Sequence, residues 1–244
     1  MKLQACVISL AAGLLAFSVP AAAQREHSGL GFRLGQESED HREVRADTAP
    51  QKVLMMTAEC VLRRHSSAVK DYLRTIPGST EEQEALQKFS PSLRRCMPDM
   101  AFETLGNMRD ARGSITMSLD HSTLRGALAE ALLDQNRTEL TFSSDFEADG
   151  MFVAEMFHGQ QSADVNRAFT LGFAGCVAGK NSAVLRPLLQ TEHGSTQERE
   201  RILTMAPSFS DCVMEGQTLS LDPPNLRLQL AEVAYYAVTQ GVRR

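Results

Sequence analysis

Apolar residues recur at helical spacing in several separate stretches, and this pattern predicts a mainly α-helical chain. One stripe comprises Leu54, Ala58, Val61 and Leu62. A second comprises Leu124, Leu128 and Leu132 at i, i+4 and i+8, which is the spacing of a core-facing helix surface. The short segment Thr116–Leu119 alternates instead and suggests a strand. The predicted fold class is therefore mainly α, with a few short β-strands.

Helix ends are marked by turn and capping residues. Gly78 suits the left-handed conformation of a helix C-terminus, and Ser79-x-x-Glu82 is a capping box that begins the next helix. Ser195-x-x-Glu198 repeats this capping box. Further upstream, Ser66 is expected to cap a fresh helix after a break. The reason for the break is Pro187, at the equivalent place later in the chain, which would interrupt a long helix but is tolerated in a first turn.

The chain also matches itself. A shift of 116 positions places Cys60-Val61 on Cys176-Val177, and Gly78-Ser79-Thr80 on Gly194-Ser195-Thr196. Further along, a shift of 102 positions places Leu124-Arg125 on Leu226-Arg227, so the first copy holds 14 extra residues between its two matching blocks. These matches predict two tandem copies of one helical unit. The strand at Thr116–Leu119 has a counterpart at Thr218–Leu221, and the two strands are candidates to pair with each other.

The predicted organisation has five parts. They are a signal peptide at 1–23, a disordered leader at 24–50, a first helical copy at 51–135, a connecting segment at 136–160 and a second copy at 161–244. The signal peptide is indicated by Lys2, an apolar stretch from Val7 to Phe17, and the small residues Ala21-Ala22-Ala23. Its apolar core is too short to span a bilayer, so the expected location is the periplasm or the exterior.

Cysteine positions predict the covalent cross-links. Four cysteines remain after signal cleavage, and an even number in an exported chain favours disulfides. Both copies space their cysteines 36 positions apart, which selects Cys60–Cys96 and Cys176–Cys212 from the three alternative pairings. Gly78 and Gly194 lie midway, so a fold-back there brings each pair together. Zinc and redox sites are disfavoured because short C-x₂₋₄-C spacing is absent.

The remaining polar residues give no catalytic, cofactor or metal assignment. The six histidines form no metal-binding spacing and do not match across the copies; they are His27, His41, His65, His121, His158 and His193. Arg125 and Glu130 are repeated as Arg227 and Glu232, but residues five apart do not share a helix face. Each is therefore expected to form an ion pair with a neighbouring helix or to hold the preceding Asp120 or Asp222. Met97 and Met100 resemble a thioether copper motif, although core packing is the commoner role of methionine.

The repeated pattern C-V-x₄-S, G-S-T-x-E, P-S and L-R-x-x-L-A-E resembles an uncharacterised group of exported alphaproteobacterial proteins. The resemblance covers both copies, implies a periplasmic location and transfers no activity. A net charge of −5 without a basic run argues against nucleic acid as a partner. The expected function is a non-enzymatic periplasmic module that binds an envelope protein or a small ligand. The alternative is an envelope hydrolase with its site between the copies.

Overall fold

The structure, a computed structural model, describes residues 30–33, 43–45, 48–101, 116–135, 165–213 and 222–241. This part of the chain is mainly α-helical, as the sequence predicts. We call the helical residues up to 135 the first unit and those from 165 onward the second unit. The predicted signal peptide, the connecting segment and the Thr218–Leu221 segment lie outside the described residues.

The first unit is a helical hairpin closed by a disulfide. Helix α1 (Pro50–Arg74) runs to a turn at Gly78, whose φ of 82° confirms the left-handed conformation. The chain returns through α2 (Thr80–Gln87) and α3 (Ser90–Cys96). Because α1 and the returning helices run in opposite directions, Cys60 and Cys96 meet with their Cα atoms 5.5 Å apart and form the predicted disulfide.

The second unit has the same order of elements. Helices α5 (Val165–Lys180) and α6 (Ser182–Leu189) lead to a turn at Gly194 with a φ of 77°. The chain then passes through α7 (Thr196–Met205), a 3₁₀ turn (Ala206–Ser208) and α8 (Phe209–Cys212). Cys176 and Cys212 are bonded across a Cα separation of 5.6 Å. The two units thus agree in fold-back and disulfide, while their origin by duplication stays a prediction.

Both predicted capping boxes are present. The Ser79 hydroxyl accepts a hydrogen bond from the Glu82 amide at 3.1 Å, and the Ser195 hydroxyl does the same for the Glu198 amide at 3.1 Å. In return, the Glu82 carboxylate accepts from the Gly78 amide at 2.7 Å. These bonds satisfy amides that have no partner inside the helix and fix where α2 and α7 begin.

The predicted break in the first helix is present but falls one residue earlier than expected. His65, with φ −135° and ψ 37°, kinks α1 without ending it, and Asn181, with φ −128° and ψ 31°, separates α5 from α6. Ser66 is therefore not the capping residue. Pro187 is the sixth residue of α6, in the second turn and not the first, because α6 begins at Ser182. A helix of eight residues accommodates this single missing backbone donor.

The centre of the molecule is a pair of helices, one from each unit. Helix α4 (His121–Gln135) packs along α9 (Pro223–Gly241), with α1 against α4 on one side and α5 against α9 on the other. The predicted stripe of Leu124, Leu128 and Leu132 is buried, but so is every residue from 124 to 133. Because α4 is covered on both sides, burial extends around the whole helix and is not limited to one face.

Four short strands accompany the helices. Strand β1 (Leu30–Arg33) pairs antiparallel with β4 (Thr116–Leu119), and β2 (Glu43–Arg45) pairs parallel with β3 (Asp99–Ala101). The strand predicted at Thr116–Leu119 is confirmed, but its partner comes from the leader. Seven leader residues are thus paired as strands where the sequence predicts disorder. The backbone groups of β3 and β4 need partners, and these leader residues supply them.

Candidate functional site

The repeated arginines and glutamates form a buried network at the joint between the units. The network begins at the C-terminal end of α1, where backbone carbonyls have no partner inside the helix. Arg125, projecting from α4, donates to the carbonyl of Leu73 at 3.0 Å and to the carbonyl of Thr75 at 3.1 Å. It also donates to the carbonyl of Tyr72 at 3.1 Å. Arg125 therefore caps α1 from the neighbouring helix.

The same guanidinium binds one glutamate from each unit. Its Nη1 lies 2.9 Å from Glu82 Oε1, and its Nε lies 2.9 Å from Glu232 Oε1 on α9. All three side chains are buried, with exposed fractions of 0% for Arg125, 2% for Glu82 and 0% for Glu232. Glu82 comes from the capping box of the first unit, whereas Glu232 comes from the second unit. Arg125 thus joins the two units by a buried ion pair.

The second unit repeats this arrangement in the opposite direction. Arg227 on α9 donates through Nη2 and Nε to Glu130 Oε1 on α4, at 2.6 and 3.0 Å. Its guanidinium also donates to the Thr191 carbonyl at 2.9 Å and lies 3.3 Å from Glu198 Oε1. Each unit therefore supplies an arginine to the glutamate of the other. The expectation that these residues form ion pairs to other helices is confirmed.

Burial and opposite charges act against each other in this network. Burial alone would raise the pKa of Glu82, but hydrogen bonding from His121, the Arg125 charge and the Gly78 amide lower that pKa to about 2. Burial would similarly lower the pKa of Arg125, but the acidic groups around it keep the pKa of Arg125 above its usual range. Both groups are accordingly charged at neutral pH, and the network is held by ionised partners.

Two tyrosines extend the network on the first unit's side. Tyr236 accepts a hydrogen bond from Arg125 and donates to the Leu73 carbonyl at 2.5 Å. The ring of Tyr72 lies 5.0 Å below the Arg125 guanidinium carbon, within the range of a cation–π contact. Burial raises the pKa of both tyrosines, so each remains a neutral phenol.

The second partner of the shared glutamate differs between the two sides. Glu232 binds Arg167 of α5 in addition to Arg125. Glu130 instead meets His193, whose Nε2 lies 3.0 Å from the same Oε1 that Arg227 contacts. Neither Arg167 nor Tyr236 stands out in the sequence, because neither is repeated at the matching position. Thr75 and Thr191 do match under the 116-residue shift, and that signal could have identified them.

The remaining histidines have structural positions or lie outside the described residues. At the kink of α1, His65 Nε2 lies 2.6 Å from the Ser92 hydroxyl, and the matching Asn181 donates to the Ser208 hydroxyl at 2.7 Å. Both bonds tie the kink to the returning helix. His121 is at the start of α4, 3.9 Å from Glu82 Oε2. His27, His41 and His158 lie outside the described residues.

Asp120 was a candidate partner for Arg125, but it caps α4 instead. Its carboxylate accepts from the Thr123 amide at 2.7 Å and from the Ser122 hydroxyl at 2.5 Å. Burial would raise the pKa of Asp120, and these hydrogen bonds lower it below its usual value. Arg125 binds the two glutamates and the end of α1 instead.

The part of the chain that the structure describes contains no cluster of possible metal ligands. Its His, Cys, Asp and Glu residues form no group of three or more that would hold a metal ion. Met97 is buried at 5% exposure, which is the core-packing role of methionine. Among the described helices, none combines the length and apolar character that crossing a bilayer requires. The two disulfides are typical of proteins outside the reducing cytoplasm.

Comparisons with known proteins leave the function open: no family profile, no curated protein and no solved structure matches this chain significantly.

Proposed function

We propose that this protein is a non-enzymatic interaction module of the periplasm. The proposal rests on one observation: the charged groups that are repeated in both units form the ion pairs that join the units. Arg125, Arg227, Glu130 and Glu232 are between 0% and 5% exposed and neutralise one another. A substrate cannot reach groups that are buried and paired in this way. Any recognition must therefore use the surface, where the two units differ.

The surfaces of the two units differ in charge beside the disulfides. Four exposed arginines flank Cys60–Cys96; we call them the arginine cluster, and they are Arg63, Arg64, Arg94 and Arg95. The matching residues beside the other disulfide are Gly179, Lys180, Ser210 and Asp211. Lys180 and Asp211 form an ion pair at 3.2 Å. At the positions that match Lys180 and Asp211, the first unit has Arg64 and Arg95.

The chemistry of the arginine cluster favours an acidic protein segment as the partner. A guanidinium binds a carboxylate through two parallel hydrogen bonds and stays charged at every physiological pH. The whole chain carries a net charge of −5, which opposes binding to an extended anionic membrane or nucleic acid. A local cluster on a net acidic protein is better suited to a short acidic stretch that contacts the cluster alone.

The charges of the second unit suggest which variant tests binding by the arginine cluster. Arg95→Asp gives the first unit, at these two positions, the same charges as Lys180 and Asp211, so the cluster is weakened. Binding of a fluorescein-labelled hexaglutamate peptide should weaken roughly tenfold, as expected when ~1.4 kcal/mol of binding free energy is lost. Asp211→Arg should strengthen binding by giving the second unit two like charges. A hexaglutamine peptide is the uncharged control.

Outcomes that contradict the proposal are equally concrete. Unchanged hexaglutamate binding in Arg95→Asp would eliminate the arginine cluster as the binding surface. Tighter binding to phosphatidylglycerol vesicles than to the peptide would replace the acidic protein by a membrane surface. Cross-linking in the native envelope, followed by mass spectrometry, then identifies the partner, and that cross-link should be lost in Arg95→Asp.

An envelope hydrolase is the second candidate, and His193 with Glu130 is the observation in its favour. A histidine and a carboxylate 3.0 Å apart at the joint between the units are typical parts of a general-base pair. However, the side chains are only 11% and 5% exposed, and Glu130 is already bound by Arg227. The test is hydrolysis of a panel of ester, amide and phosphate substrates. Activity of the wild type that is abolished in His193→Ala would establish a hydrolase and exclude the proposal of a non-enzymatic interaction module.

A further inference from the structure

The two disulfides differ in how well the fold shields them from solvent. Cys60 and Cys96 are 0% and 1% exposed, so the first bond lies in the core. Cys176 and Cys212 are both half-buried. The two bonds are otherwise closely matched, since each joins residues 36 positions apart, with Cα separations of 5.5 and 5.6 Å. Their exposure is therefore a difference that the matched spacing does not predict.

The helix that carries the second cysteine of each unit shows the same difference. In the first unit, α3 has seven residues and buries Ser92, Leu93 and Cys96. In the second unit, α8 has four residues and buries none of them. Helix α8 follows a 3₁₀ turn, and that turn buries none of its three residues either. The segment that carries Cys212 is thus packed less tightly than α3.

Two contacts that hold α8 against α5 lie at or near the surface. The Phe209 ring meets the Phe173 ring edge to face, with centroids 5.7 Å apart, and Phe209 is only half-buried. The side chains of the Lys180–Asp211 ion pair are 47% and 60% exposed, so this pair contributes little stability. Local opening of a segment is easiest where buried apolar contacts are few. The disulfide of the second unit is therefore reached most easily when α8 moves away from α5.

Access decides whether a disulfide takes part in thiol exchange. The attacking thiolate forms a new bond to one cysteine sulfur, and the original S–S bond breaks. The electron pair of the broken bond goes to the other cysteine sulfur, which leaves as a thiolate and takes a proton from water. A second thiol then attacks the mixed disulfide, so both cysteines end as thiols and the two attacking thiols are oxidised to a disulfide. A bond in the core is shielded from the first step.

We propose that Cys176–Cys212 is a thiol–disulfide exchange site to which α8 controls access, and that Cys60–Cys96 is a permanent cross-link. The reactant is a small thiol, because a half-buried bond admits a small molecule more readily than the surface of a second protein. Reduction removes the covalent link between α5 and α8 and releases the end of the second unit. The first unit keeps its cross-link throughout. The proposal is independent of whether the arginine cluster binds an acidic partner.

Differential alkylation of the folded wild type tests the proposal. The protein is treated with dithiothreitol for increasing times, and free thiols are trapped with N-ethylmaleimide. The remaining disulfides are then reduced in guanidinium and labelled with isotopically heavy N-ethylmaleimide, and mass spectrometry reads each cysteine. Cys176 and Cys212 should become free at least about tenfold faster than Cys60 and Cys96, because attack on the buried bond requires prior opening of the core. Equal rates, or faster reduction of the first bond, would overturn the proposal.

The matched loops provide a control for intrinsic reactivity. In concentrated guanidinium chloride, where the fold is lost, the two bonds should be reduced at rates within about twofold of each other, since both close loops of the same length. A preference as large in the unfolded chain as in the folded protein would show that it comes from the neighbouring residues, and it would contradict the role given to the fold.

A variant in α8 tests how access is controlled. Phe209→Ala removes the ring that packs on Phe173, so it should speed reduction of Cys176–Cys212 by roughly three- to tenfold, the effect of losing one aromatic pair. Reduction of the first bond should not change. Leu203→Ala is the control, because Leu203 is 63% exposed on α7, and it should leave both rates unchanged. An unchanged rate in a folded Phe209→Ala protein would refute control by α8, and the wild-type labelling decides the exchange site even if this variant fails to fold.

Discussion

Removal of Arg125 should destabilise the protein more than removal of any exposed arginine. Arg125→Met retains much of the side chain's volume but deletes the charge between Glu82 and Glu232, which are 2% and 0% exposed. It also removes the donors to the Leu73 and Thr75 carbonyls at the end of α1. Breaking a buried ion pair by deleting one partner costs about 3–5 kcal/mol.

The loss is large compared with the total stability of a typical domain, about 5–15 kcal/mol. Arg167 still neutralises part of the Glu232 charge, so we expect a value near the lower end of this range. Urea unfolding followed by circular dichroism at pH 7 measures the change. Arg186→Met is the matched control, because Arg186 is exposed on α6 and exposed sites usually change stability by less than about 0.5 kcal/mol.

A double-mutant cycle isolates the contact between the units. If Arg125 and Glu232 interact as the geometry indicates, Arg125→Met should cost less in a Glu232→Gln background than in the wild type. The coupling should exceed about 1 kcal/mol, since contacting residues in one network couple by 0.5–3 kcal/mol. A cost below about 1 kcal/mol for Arg125→Met, equal to that of Arg186→Met, would refute the view that this network joins the units.

Three further predictions concern the disulfides, the loss of stability in acid and the contact between α4 and α9. Cys96→Ser should lower the free energy of unfolding by about 4 kcal/mol, the chain-entropy value for a loop of this length, and thiol labelling should then find Cys60 free while the second disulfide persists. The pKa of Glu82 is lowered to about 2 in the folded protein, against about 4.5 in the unfolded chain. The stabilisation by its charge is therefore complete above pH 4.5 and is lost as the pH falls toward 2. Glu82→Gln should remove about 3 kcal/mol of this acid dependence, measured by urea titrations between pH 5 and pH 2. Gly126→Ala should destabilise the protein by about 1–3 kcal/mol, because the new Cβ would lie 2.6 Å from the carbonyl oxygen and the Cβ of Leu228. Adding Leu228→Ala should not restore stability, since alanine keeps both of those atoms. A rescue by Leu228→Ala in thermal unfolding would contradict this reasoning.

Local features of the fold were readable from the sequence because their causes are local. The capping boxes, the turn glycines and the starts of α2 and α7 follow from residues within one or two turns of each other. The disulfide pairing followed from equal spacing about a central glycine, since a fold-back there fixes which cysteines meet. The kink at His65 was displaced by one residue from its predicted position because helix breaks depend on long-range contacts, here the bond to Ser92.

The joint was less predictable because it depends on packing between distant segments. The matched Arg125 and Glu130 pointed to ion pairs, but their partners lie on another helix 107 and 97 positions away. Arg167 and His193 have no counterparts, so a comparison of the copies could not reveal them. All-round burial of α4 also escaped the periodicity argument, which assumes that one helix face meets solvent.

The crossing of α4 and α9 explains an advantage of carrying both units in one chain. Positions 126 and 228 correspond under the 102-residue shift, and there a glycine meets a leucine in close contact. Two separate identical chains would have to place the same residue on both sides of such a crossing. Two leucines would collide and two glycines would leave a gap. A single polypeptide escapes this restriction, because each side of the crossing is encoded independently and can adapt to the other.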